Sequence, residues 1–284
     1  DIDGKRRWLP RLSIVATRDA VNDLLYTAIP LSPEEATEKV DGSSAWPGGR
    51  MSQAARLLRG VGLGGTLDYA GAGAGDAGGN VTYDLDVELL DATAQPTAEL
   101  AGAIGAAGLL WPDDYMLRNV NAQLKVRHDG VTLSNFSGEY GVGRITAGGT
   151  VDLTGTAADS AIDVHYEDFE LGPYVANFAP ARRVEQARAI WNRYQPDGMI
   201  NADLTFRVKQ GRAEPSQVKV YPKNMSVLVD GRRVNITHQG GDMSLRGGQI
   251  EFRDLAVEMS SGDRKSDGIV VMRGGYDFAA EGQP

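Results

Sequence analysis

The chain contains no cysteine. That removes disulfides, thiolate zinc sites and cysteine nucleophiles together, while permitting an oxidising compartment. Histidine is nearly as scarce: His128, His165 and His238 are the only three, and their spacing gathers no metal-ligand set. His128 and His238 are expected near equivalent turns and His165 on a strand, all as ordinary surface or edge histidines. Aromatic residues make up only 7%, with Trp8, Trp46, Trp111 and Trp191 scattered along the chain. No apolar run reaches transmembrane length. Basic residues are dispersed and the net charge is −9, which argues against nucleic acid as a partner, since that needs a basic footprint. There is no Walker A pattern, no serine nucleophile elbow and no histidine–glutamate zinc motif, so no cofactor is expected.

What is present is ordinary for a folded protein: 42% hydrophobic and 24% charged residues over 284 positions. Glycine, at 36 residues, is above its usual share, as many turns between strands require. The strongest signal is a repeated strand pattern. Val81 to Leu89 alternates apolar and polar residues, and Ile200 to Val208 does the same at a constant spacing. That spacing sets Asp84 on Asp203 and Leu85 on Leu204, and then Val131, Leu133 and Phe136 on Ile250, Phe252 and Leu255. Further on, Gly149 to Leu153 resembles Gly274 to Phe278 after an insertion around 260–267. A unit that cannot bury its apolar face alone predicts an array.

Along the chain, 12–30 reads as two short extended stretches and 33–40 as a helix opened by the capping box Ser32-Pro-Glu-Glu35. Met51 to Leu58 reads as a second helix, Thr66 to Ala70 as a strand, and Gly71 to Gly79 as a flexible Gly/Ala tract. Ala98 to Ala107 and Ala181 to Tyr194 are further helix candidates, the second striped by Val184, Ala187, Ile190, Trp191 and Tyr194. Strands are expected over 80–91, 120–126, 131–136, 142–153 and 160–169. The second half adds strands at 199–209, 216–221, 225–230, 233–238, 242–246, 249–259 and 268–278. Asp129-Gly130, Asp230-Gly231 and Gly247-Gly248 supply turns. Residues 1–79 are read as the end of a preceding repeat with short helices and a Gly-rich linker, 80–195 as the first full β-repeat ending in a helix, and 196–284 as the second. With Asp1 opening an incomplete repeat, the chain is expected to be a segment of a longer protein.

Gly60-Val-Gly-Leu-Gly-Gly65 matches a dinucleotide-binding fingerprint in letters, but that motif needs a strand before it and a helix after. The order here is inverted, so a helix C-cap and linker is the expectation. The acidic pairs Asp1/Asp3, Asp84/Asp86 and Asp113/Asp114 could serve a hydrolase only across a cleft. Asp84 and Asp86 alternate with apolar residues, which places them on a solvated strand face. The sequons at Asn80, Asn135, Asn224 and Asn235 arise by chance in a Ser/Thr-rich β protein.

Three segments carry a family resemblance: Asp129 to Gly138, Gly143 to Leu153, and Ile162 to Leu171. The pattern returns in Gly248 to Leu255 and in Gly274 to Phe278, and Trp191 to Asn201 adds a helix leading into a Pro-x-Gly strand. Apolar-x-apolar-x-x-apolar, then Gly, then a Gly-x-apolar-Asp strand resembles the AsmA-like family of envelope β-repeat proteins, over about 80–284 and loosely over 12–70. The resemblance implies an elongated, curved antiparallel β-sheet built of repeats, mainly β with a few short helices, whose U-shaped groove has an apolar lining. It implies a non-enzymatic protein that conducts lipids between membranes, binding phospholipid acyl chains. Its other implied partners are further repeats of the same longer chain and inner- and outer-membrane proteins. The implied place is the cell envelope, in the periplasm, anchored to the inner membrane by a segment absent from this chain. The family has no catalytic residues to carry over. The candidate lining is Tyr83, Leu85, Val87, Leu124, Val126, Leu204, Phe206 and Val208. The rival expectation is a structural or outer-membrane assembly module with no ligand.

Overall fold

A computed structural model describes residues 11–20, 53–75, 81–97, 116–154, 159–172, 184–209, 212–213, 217–246, 249–261 and 268–277. They form one antiparallel, open sheet of thirteen strands and two short helices. Strand β1 is Arg11–Ala20, and helix α1, Gln53–Gly60, leads into β2, Leu63–Gly75. Then come β3 (Val81–Ala94), β4 (Leu117–Arg127), β5 (Gly130–Tyr140), β6 (Gly143–Asp152) and β7 (Ser160–Glu170). Helix α2 (Val184–Tyr194) precedes β8 (Asp197–Lys209) and the two-residue β9 (Arg212–Ala213). The sheet closes with β10 (Gln217–Val229), β11 (Arg232–Arg246), β12 (Gln249–Ser261) and β13 (Gly268–Asp277). Each strand pairs with the next in sequence, except that β8 pairs both β9 and β10. The expected boundary at 195/196 does not interrupt the sheet, because β7 and β8 pair across it.

One local device recurs. Leu89-Leu-Asp-Ala92, Leu117-Arg-Asn-Val120, Leu133-Ser-Asn-Phe136, Tyr166-Glu-Asp-Phe169 and Phe252-Arg-Asp-Leu255 share the form apolar-x-Asx-apolar. Their Asx residues, Asp91, Asn119, Asn135, Asp168 and Asp254, all have φ between 49° and 55°. The pairing register slips at each of them, so each is a β-bulge. Asx tolerates this left-handed backbone because its short polar side chain bonds locally. The extra residue also returns the next apolar side chain to the same face. Without it the periodicity of two would turn every following residue over.

Several expectations need correction. The stretches 216–221 and 225–230 are one strand, β10, and 233–238 and 242–246 are one strand, β11. The breaks between them are register shifts at Pro222/Asn224 and around Gly240, not turns. His238 accordingly lies inside β11, paired with Val257, rather than at a turn like His128. The Gly/Ala tract is strand as far as Gly75, paired to β1 and β3. Its small residues admit close approach: a Cβ on Gly71 would meet the Leu85 side chain at 2.3 Å. At the first hairpin the loop residues are His128 and Asp129, with Gly130 opening β5. Asp230 and Gly231 do form the expected two-residue loop, both at positive φ as a type I′ turn demands. The helices expected at 33–40 and 98–107, the turn Gly247-Gly248, and Asp1, Asp3, Asp113, Asp114 and Asn80 lie outside the described residues.

Asn135 gives a test, because its side chain is exposed and its Nδ2 donates to Gln123 Oε1 at 2.8 Å. Asn135→Val should lose about 1–2 kcal/mol to the left-handed backbone. Asn135→Gly should change stability by less than about 1 kcal/mol, both read by urea denaturation.

Candidate functional site

Register fixes which side chains share a face. Gly71, Leu85, Val126, Val131 and Val151 form one cross-strand row from β2 to β6. The next row is Tyr69, Val87, Leu124, Leu133, Gly149, Ile162 and Phe206. Ala147, Val164, Leu204 and Val218 extend the same face into β10. All eight candidate residues therefore lie on one continuous apolar face, which the bulges preserve across β3 to β8.

Coverage of that face is uneven. Tyr83 and Val126 are buried, at 5% and 0% exposure, in a cluster with Val131 and with Ala55 and Leu58 of α1. Helix α1 is held there by its C-terminal turn: Gly62 N–H donates to Arg59 O, and Gln95 N–H and Thr97 N–H donate to Gly62 O and Gly60 O. Gly62 (φ 63°) is obligatory, because a Cβ there would lie 1.8 Å from Gln95 O. The glycine run thus ends a helix and begins a strand, as the inverted order of the fingerprint implied. Leu85, Val87 and Leu124 are half-buried and pack against this cluster. A second cluster joins Leu67, Leu89, Leu117, Val120 and Ala122 to Ile145, Phe169 and Ile200. Among the described residues, Leu204, Phe206 and Val208 belong to neither cluster and are each half-buried. Their exposure is of the same order as that of Leu85, Val87 and Leu124, so what sets the β8 stretch apart is its place outside both clusters.

The other face is polar and internally paired. Asp84 lies 3.4 Å from Lys125 Nζ and 3.3 Å from Arg127 Nε, and Asp86 lies 3.6 Å from Lys125 Nζ. These are exposed pairs, each contributing about 0–1 kcal/mol, and Asp84 and Asp86 are the solvated strand residues their alternation implied. Across β5 to β10, the row Ser137, Thr146, His165, Asp203 and Lys219 lines an open groove of about 820 Å3. His165 Nδ1 is 2.6 Å from Asp203 Oδ1, and the Tyr221 hydroxyl donates to Asp203 Oδ2 at 3.0 Å. Arg207 Nη2 donates to both carboxylate oxygens of Asp163, at 2.8 and 2.9 Å. Burial, then the bond to Asp203, pushes the Tyr221 phenol up to about 12. No group of three His, Asp or Glu residues poised to hold a metal occurs among the described residues.

Alternation alone placed the eight lining residues on one face. It did not separate the part under α1 from the part outside the clusters, because that depends on where a helix docks. Comparison with known proteins gives no match to a family model, a curated protein or a solved structure.

The Tyr221 phenol keeps its proton in the fold to about pH 12, whereas the unfolded chain releases it near 10. Its contribution to stability is therefore complete below pH 10 and lost as pH rises through about 12. Melting temperature measured from pH 9 upward should fall more steeply for the parent than for Tyr221→Phe.

Proposed function

We propose that this chain is a non-enzymatic segment of a cell-envelope protein whose apolar sheet face binds phospholipid acyl chains and conducts lipids between membranes. The observation that carries the reading is the continuous apolar face, only partly buried at Leu204, Phe206 and Val208, which lie outside both packed clusters, and backed by a solvated, ion-paired face. Each methylene buried from water gains about 0.8 kcal/mol, so an acyl chain lying along these strands is held without directional contacts and can slide. Such a surface needs no cofactor. The motif resemblance to the AsmA-like family supports the same role, with further repeats of a longer chain and inner- and outer-membrane proteins as partners. It also supports a periplasmic setting and an inner-membrane anchor in another segment of the protein. Replacing the face by a charged side chain should block cargo while leaving the polar face intact.

A second reading is a structural or outer-membrane assembly module that carries no ligand. It is favoured by the docking of α1 over Tyr83, Val126 and Val131, which closes part of the face with protein.

Native mass spectrometry of the purified protein, with organic extraction of what co-purifies, separates the two. Lipid-sized adducts should appear on the parent and vanish in Leu204→Asp, with the fold retained by circular dichroism. Val126→Asp places a charge in a closed cluster and should instead cost about 3 kcal/mol or more and unfold the protein. A parent free of adducts, offered phospholipid vesicles and still unloaded, sinks the lipid reading.

A further inference from the structure

The β12–β13 hairpin repeats the β5–β6 hairpin: the bulge at Asp254 sits in the place of Asn135, and Phe252 pairs Gly274 as Leu133 pairs Gly149. The equivalence has an unfilled consequence. Gly149 has φ 155° and lies so close to β7 that a Cβ on it would sit 2.1 Å from Ala161 O. Three other positive-φ strand glycines behave alike towards the strand that follows. The nearest atom is Ala92 Cα for Gly65 (3.1 Å), Asn224 O for Gly198 (2.1 Å) and Asp254 O for Gly241 (2.2 Å). Among the described residues, Gly274, at φ 121°, has no atom within 4 Å of its Cβ position, and β13 pairs only β12.

Ahead of this glycine, at 269–271, the outer strand is apolar on both faces. Ile269, Val270 and Val271 are 64%, 42% and 56% exposed. The equivalent β6 positions on the polar face are Arg144 and Thr146. An apolar edge without lysine or proline is a template for another strand.

We infer that β13 is a docking edge for one further antiparallel strand of the β7 type, supplied by an adjoining repeat unit: alternating apolar residues running into apolar-x-Asx-apolar. The inference deepens the reading of the chain as one unit of a longer sheet and needs no lipid. Transferring the β6–β7 register sets Gly274 opposite the position of Ile162, and Arg273, already paired with Asp254, opposite that of Asp163. The incoming strand carries the same two faces forward, so the apolar lining continues past β13.

The probe is a labelled synthetic peptide of residues 160–170, titrated into the intact protein and followed by fluorescence anisotropy. Saturable binding is expected, with amide shifts confined to 268–277. N-methylation of the peptide amides that face β13 should weaken binding by about tenfold or more, whereas methylation of the alternate amides should not. Gly274→Val should also weaken it, and the N-methyl series keeps the test valid if that variant fails to fold. No binding, or equal loss for both methylation patterns, overturns the proposal. So does self-association through β13 that the peptide does not compete, which would assign the edge to a second copy. Lipid loading of the parent is read separately, so either idea can fail alone.

Discussion

The left-handed Asx residue in the middle of a strand is the constraint on which the rest of this sheet depends. A strand keeps one face apolar only while its period of two is unbroken. A bulge breaks that period, and a bulge in apolar-x-Asx-apolar form restores it one residue later. Leu117 and Val120 illustrate the result: both are buried, at 4% and 0%, although three positions separate them. The backbone cost is offset by side-chain bonds to neighbouring strands. Asp91 N–H donates to Asn121 Oδ1 and Asp168 N–H to Asn201 Oδ1, while Lys223 and Arg273 pair with Asp168 and Asp254. Bulges bend and twist the strands that carry them. A row of them across successive strands curves the sheet while leaving its lining continuous.

The same device explains what could and could not be read from the residues. Unbroken alternation exposed β3 and most of β8, and Asp230-Gly231 exposed a hairpin. Where a bulge interrupts β10 at Pro222–Asn224 or β11 around Gly240, the pattern imitates a turn, and one long strand reads as two short ones. Pro222 lies inside β10 and is buried beside the bulge, the kind of place where a sheet accepts proline. The constant spacing between the halves was legible too, but not its topology. The strand β3 pairs directly with β4, while their counterparts β8 and β11 are separated by β10. The lining residues were legible because alternation sorts faces. The cover over Tyr83 and Val126 was not, since nothing local to those strands encodes where α1 packs.

The two faces divide the chemistry. The polar one spends its charges internally, in Asp84–Lys125, Arg207–Asp163 and His165–Asp203 pairs, leaving a solvated outer surface. The apolar one is closed at β3–β5 by α1 and by its own packing, while among the described residues its β8 stretch lies outside both clusters. A cargo held only by methylene burial suits that asymmetry.

The central claim is that the apolar side of β8, and not the polar groove behind it, is where an acyl chain lies. Paramagnetic broadening by a phospholipid spin-labelled in its acyl chain, read on the isotopically labelled protein, tests this most directly. Selective loss of side-chain signals from Leu204, Phe206 and Val208, with those of Thr205, Arg207 and Lys219 retained, is the predicted result. Uniform broadening, or loss confined to the polar row, would contradict the account.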